Sequence, residues 1–199
     1  MRIGVFGGSF DPPHVGHLIV ATDALARLGL GHVVFVPAAT QPLKADGGRA
    51  SAEARLAMVR ALVGDDARFH VDPIEIHRGG LSYTVETLEA LQARWPGAEL
   101  VLLAGADVLT TFAQWRAPER VRALATLVVL DRAVGGAPAT LSVPAVPPDL
   151  PGGPPVLLQT RRVDVSSTEV RARLAAGRSI RGFVPERVAD LIRSAGLYR

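Results

Sequence analysis

Short apolar runs alternate along this chain with stretches in which apolar residues recur every three or four positions, and that alternation predicts its elements. RIGVF (2–6) reads as a buried strand. The segment from His17 to about Leu28 reads as a helix with Leu18, Ala21, Leu25 and Leu28 on one face. HVVFVPA (32–38) is a second strand and SAEARLAMVRALV (51–63) a second helix. FHVDPIEI (69–76) alternates as an extended segment, with Pro73 marking an edge or a bulge. VETLEALQARW (85–95) is helical and leads into the strand ELVLLAG (99–105). A short helical passage near Pro118 to Ala123 precedes the strands TLVVLD (126–131) and VLLQT (156–160). SSTEVRARLAAG and PERVADLIRSAG close the chain as two helices, each ending near a glycine.

Strands alternating with helices predict the α/β class: a single Rossmann-like, doubly wound domain over residues 1–199, with a mainly parallel sheet and helices on both faces. The Gly-, Pro- and Ala-rich segment 135–155 reads as a surface excursion, and 166–199 as the C-terminal helices. Such folds bind ligands beyond the carboxyl ends of their strands, where the strand order reverses. Gly7 to His17, Lys44, Asp107 and Arg132 all follow predicted strand ends.

Composition narrows the chemistry. With 48% hydrophobic and 21% charged residues in 199, the chain is of the ordinary globular type, able to bury a core without covalent staples. The absence of cysteine excludes disulfides, thiol nucleophiles and thiolate metal sites. No apolar run approaches the roughly 20 residues of a membrane span. The strand-like opening does not resemble a secretory leader, so the expected location is cytoplasmic. Net charge is +3, and Lys44 is the single lysine among 22 basic residues. The arginines are scattered, which does not predict a nucleic-acid module.

The densest chemistry lies in GGSFDPPHVGH (7–17). Gly7 and Gly8 permit close approach of a ligand to the chain, and the helix start that follows offers N–H groups and a positive dipole end to phosphate. His14 and His17, one turn apart, are placed to face the same ligand oxygens, with room left by Gly16. His17 is expected to be the deeper of the two and the more important. Neither G-x-x-x-x-G-K-[ST] nor G-x-G-x-x-G is present, which disfavours a P-loop NTPase and a dehydrogenase. In VSSTEVR (165–171), Ser166 and Glu169 form a capping box, while Ser167, Thr168 and Arg171 could bind phosphate oxygens. Asp107 suits a helix N-cap or a ligand contact, Thr84 a cap, Trp115 the core, and Lys44 a solvated loop.

GGSFDPPHVGH resembles the H-x-G-H signature of nucleotidylyltransferases. Together with SYTVETL (82–88), GADVLTTFAQW (105–115), VSSTEVR and the terminal GLYR, it is similar to the bacterial nicotinate-nucleotide adenylyltransferases nearly from end to end. The resemblance implies transfer of AMP from ATP to nicotinate mononucleotide, with Mg²⁺ carried by ATP and no dedicated protein ligands for it. It implies catalytic roles for His14, His17 and Arg171. ATP would meet Gly7, Gly8, Ser9, Phe10, Gly16, Gly105, Asp107 (at the ribose), Ser166, Ser167 and Thr168. Nicotinate mononucleotide would meet Lys44, Tyr83, Thr84, Trp115 (against the ring) and Arg132. Leu43 departs from the family's usual Pro-His-Lys or Pro-His-Arg element. Two alternatives stay open: an H-x-G-H enzyme with another acceptor (nicotinamide mononucleotide, phosphopantetheine, flavin mononucleotide or glycerol phosphate), and a non-catalytic nucleotide-binding module.

Overall fold

The computed structural model describes residues 1–42, 49–132 and 150–199. Its strands are β1 (Arg2–Gly8), β2 (His32–Pro37), β3 (Phe69–Val71), β4 (Glu99–Gly105), β5 (Ala125–Arg132) and β6 (Val156–Thr160). They form one sheet in the order β3-β2-β1-β4-β5-β6, and every pairing is parallel. The sheet expected to be mainly parallel is therefore wholly so among the described residues. Helices occupy the connections from β1 through to β5, as crossovers between parallel strands require, and two more follow β6. They are α1 (Val15–Arg27), α2 (Ala52–Val63), α3 (Ile74–Arg78), α4 (Thr84–Arg94), α5 (Val108–Thr111), α6 (Pro118–Leu124), α7 (Ser167–Ala175) and α8 (Glu186–Ser194).

Apolar strands explain themselves by burial on both faces. Val33, Phe35, Val101, Leu103, Val128 and Leu130 pack with residues of α1, α2, α7 and α8. Ile3, Val5, Val34, Val36, Leu100, Leu102, Leu127 and Val129 pack on the other face with α4, α5 and α6. Ala21 is fully buried, with Leu18, Leu25 and Leu28 packed beside it, as the helical spacing predicted.

Three local readings change. The extended segment expected over 69–76 is a strand only to Val71; Pro73 then caps α3, where Asp72 Oδ1 accepts the Ile74 N–H at 3.0 Å. β3 is nonetheless an edge strand, as Pro73 suggested. Helix α1 begins at Val15, two residues before the predicted start, because His14 acts as its N-cap. Helix α5 and the 3₁₀ turn at 112–114 are too short to show a period in sequence. Most of the 135–155 excursion lies outside the described residues. Within its described part Leu150 is buried against the second core, so that end is no simple surface loop. No helix of the described residues is long and apolar enough to cross a membrane.

Candidate active site

The chain runs outward from β1 to β3 and then returns to lay β4 on the other side of β1. The order reverses between β1 and β4, which opens a crevice at their carboxyl ends. Gly8 ends β1 and Gly105 ends β4, so the two sequence segments richest in expected contacts flank that crevice. A Cβ added at Gly7 would meet nothing within 4 Å, so this rim of β1 is open.

His14 and His17 come together as the spacing predicted. Their rings stack at 3.8 Å between centroids, inclined by 30°. The His14 backbone N–H donates to His17 Nδ1 at 3.1 Å. With Nδ1 accepting, the ring hydrogen falls on Nε2. Phe10 stands edge-on to His17 at 5.0 Å and is itself buried, so this expected ATP contact serves through its ring as a wall behind the imidazole. The order of depth is the reverse of expectation. His14 is 4% exposed, whereas His17 is only half-buried, because the cap position tucks the first ring under the turn. Gly16 is needed for the pair: a Cβ there would fall 2.9 Å from His14 Nδ1. Gly16→Ala is expected to lower turnover by about tenfold to a hundredfold, the cost of a displacement near 1 Å. Steady-state rates with thermal unfolding as a fold control check this, and wild-type turnover would contradict it.

The helix start is less open to ligand than expected. The Val15 N–H donates to the Phe183 carbonyl and the His17 N–H to the His14 carbonyl, both at 3.0 Å. Fewer of the helix's N–H groups are free than the sequence suggested. Helix α7 lies beside this turn. Ser166 is its N-cap, accepting the Glu169 N–H at 3.1 Å. The Ser167 hydroxyl donates to the Pro12 carbonyl at 2.8 Å, so it fastens the turn instead of offering its hydrogen to a phosphate. Arg171 Nη1 donates to the Asp11 carbonyl at 2.6 Å, and Nη2 to Thr168 Oγ1 at 3.2 Å. The guanidinium and the exposed Thr168 thus sit beside the histidine turn.

Sequence reasoning missed the residues that hold this turn. Asp11 is 7% exposed and accepts three donors: the Arg49 N–H at 2.6 Å, the Ala50 N–H at 3.2 Å and the Tyr198 hydroxyl at 2.5 Å. Arg55 is 3% exposed and donates to the carbonyls of Ser9 at 2.8 Å, Ala39 at 3.0 Å and Ala50 at 3.4 Å. Burial lowers its pKa, a shift opposed by the carboxylate of Asp11. One sequence signal existed: Arg55 follows Ala54 and precedes Leu56 on a helix whose inward face is otherwise apolar.

Across the crevice, Tyr83 caps α4 by its backbone, without a side-chain cap, and Thr84 is the first helical residue instead of the cap. Tyr83 packs under the Arg116 guanidinium at 4.6 Å from its ring, next to Trp115 in sequence. Trp115 lies against Phe112 at 5.3 Å and remains half-buried, so it is partly core and partly accessible. Asp107 is exposed just past β4, at the start of α5, and its side chain makes no cap bond. A Cβ at Gly105 would fall 2.7 Å from Asp107 Oδ1, so glycine there lets the carboxylate fold back over the strand end. Arg132 ends β5, but its side chain lies outside the described residues, as do Leu43 and Lys44. Among the described residues no cluster of three or more His, Asp or Glu could hold a metal ion.

Comparison with known proteins agrees with this geometry. Residues 5–173 match the cytidylyltransferase-like family. A protein of Gemmatimonas aurantiaca named "Probable nicotinate-nucleotide adenylyltransferase" is 52% identical over 199 residues, covering 100% of this chain and 93% of that protein. One of the same name from Thermus thermophilus is 43% identical, with 100% of both chains covered. The Plasmodium falciparum nicotinic acid mononucleotide adenylyltransferase complexed with NaAD superposes with a TM-score of 0.77 at 18% identity, covering 99% of this chain and 97% of that one, and so attests the fold. The chain belongs to the nicotinate-nucleotide adenylyltransferase family, within the cytidylyltransferase-like group.

Proposed function

We propose that the protein transfers AMP from ATP to nicotinate mononucleotide, releasing pyrophosphate and forming nicotinate adenine dinucleotide, a step of NAD biosynthesis. The observation that carries this reading is the stacked His14–His17 pair on a turn to which Arg171 of α7 is bonded through the Asp11 carbonyl, in a chain 52% identical to a named family member. The phosphate monoester of the acceptor is largely ionised at neutral pH, its second pKa being about 6. It can attack the α-phosphorus without a general base. As the new P–O bond forms, the bond to the β-phosphate oxygen breaks and pyrophosphate departs with the electron pair.

The site's work is alignment of two anions and neutralisation of charge. His17 Nε2 donates to the α-phosphate, with His14 stacked behind it. Arg171, Thr168 and Ser166 take the departing phosphates, and the turn Gly7, Gly8, Ser9 and Phe10 with Gly16 gives ATP room. Gly105 and Asp107 suit the ribose, while Tyr83, Thr84, Trp115, Lys44 and Arg132 serve the acceptor. Ser167 acts here through the Pro12 carbonyl. A Mg²⁺ ion carried by the triphosphate would supply further charge neutralisation. The substrates are small molecules, and we place the activity of one domain, residues 1–199, in the cytoplasm.

Pyrophosphate release with ATP, Mg²⁺ and one acceptor at a time tests the substrate. Turnover with nicotinate mononucleotide, well above that with nicotinamide mononucleotide, phosphopantetheine or flavin mononucleotide, is expected. Preference for another acceptor would overturn the substrate, and silence with all four would overturn the enzyme reading.

A further inference from the structure

The terminal Gly-Leu-Tyr-Arg run is part of the family pattern, yet the reaction as derived gives it no task. Its Tyr198 is a positioning residue of the triphosphate site, and we infer that its hydroxyl occupies the Asp11 carboxylate so that the Arg171 guanidinium stays available to ATP. This inference rests on the reading of the site as one for ATP.

The argument starts from an oddity of pairing. Asp11 is a buried carboxylate with two arginines close by, Arg55 and Arg171. Buried carboxylates in such company ordinarily close a bidentate ion pair. Among the described residues Asp11 does not: its oxygens are taken by the N–H groups of Arg49 and Ala50 and by the Tyr198 hydroxyl. Arg171 reaches only the carbonyl of Asp11, at 2.6 Å, with a second bond to Thr168 Oγ1. Among the described residues two of its five N–H groups are used, which leaves three for phosphate. The carboxylate that could have captured it is held by neutral donors.

The tail is bent to deliver this hydroxyl. Tyr198 has φ of 63°, in the left-handed region that a bulky side chain rarely adopts, and Gly196 before it also has positive φ, 61°. The Leu197 N–H returns to the Ile192 carbonyl at 3.0 Å, fixing the turn to the end of α8. Burial and the neighbouring Asp11 push the Tyr198 hydroxyl up from its ordinary pKa, so it remains a donor throughout the working range.

Removing the hydroxyl leaves one Asp11 oxygen short of a donor; Arg55 is engaged with three carbonyls, which makes Arg171 the replacement. The test is a double-mutant cycle of Tyr198→Phe and Arg171→Ala, read by KM for ATP, kcat and thermal unfolding in the full chain. Tyr198→Phe alone should raise KM for ATP about tenfold, the loss of one charge-assisted bond, with KM for the acceptor unchanged. In the Arg171→Ala background the same change should add nothing. A Tyr198→Phe protein that merely unfolds at lower temperature, with KM for ATP unchanged, overturns the inference; so does an equal further rise in KM in the Arg171→Ala background. Asp11→Asn in the Tyr198→Phe chain removes the charge that captures Arg171 and should bring KM for ATP back toward wild type; no recovery also counts against it. Absence of ATP turnover in the wild-type protein would instead contradict the enzyme reading itself.

Discussion

Replacing His17 by alanine should lower kcat by about 10²- to 10³-fold, equivalent to about 3–4 kcal/mol of transition-state stabilisation. The size follows from what the ring does. Its Nδ1 is tied to the His14 backbone N–H, and its faces meet His14 and Phe10. The imidazole is thus oriented before substrate arrives, so little reorganisation is needed as charge builds on the α-phosphate. KM for ATP should change much less than kcat, because the contact strengthens as the reaction proceeds. Stability should be nearly unchanged, since His17 is half-buried and its removal opens no sealed cavity. Parallel measurement of kcat and the unfolding midpoint checks this. A near-normal kcat would remove His17 from the mechanism.

Arg55→Ala should be the most destabilising change near the site, at about 3 kcal/mol, or roughly 6–12 °C in the unfolding midpoint for a chain of this size. The substitution strips the donors from the Ser9, Ala39 and Ala50 carbonyls and leaves the Asp11 carboxylate with one of its two neighbouring cations gone. Arg55→Lys should recover only part of the loss, since one ammonium cannot reproduce a planar fork. Activity should fall as well, because Ser9 leads directly into Phe10, the wall behind His17. Urea unfolding of the three proteins decides the matter. Equal stability of Arg55→Ala and wild type would show that the buried guanidinium fastens nothing.

The fold was largely legible because strands buried on both faces leave unbroken apolar runs, and helices on the sheet leave a three-to-four spacing. Where a segment was short the signal failed. Residues 69–76 carry both alternation and a proline, and the proline starts α3 instead of bulging a strand. The two histidines announced themselves by type and spacing, so their meeting could be foreseen. Their relative depth could not: it depends on His14 being a cap, a matter of backbone geometry. Ser167 was assigned to phosphate because its type suits that contact; only the fold shows its hydroxyl turned to Pro12. The pairings of Asp11, Arg55 and Tyr198 could not be read from the sequence for a related reason. Their partners lie 38 to 46 residues away for Asp11 with Arg49 and Arg55 with Ser9, and 187 away for Tyr198 with Asp11. Such pairings leave no local pattern.

The most direct test of adenylyl transfer is to follow each phosphate of ATP. The wild-type protein would be given nicotinate mononucleotide with ATP labelled either at the α- or at the γ-phosphate. The α label should appear in a dinucleotide and the γ label in pyrophosphate, in equal amounts. Label released as inorganic phosphate, or γ label transferred to the acceptor, would contradict attack at the α-phosphorus and with it the role given to His14, His17 and Arg171.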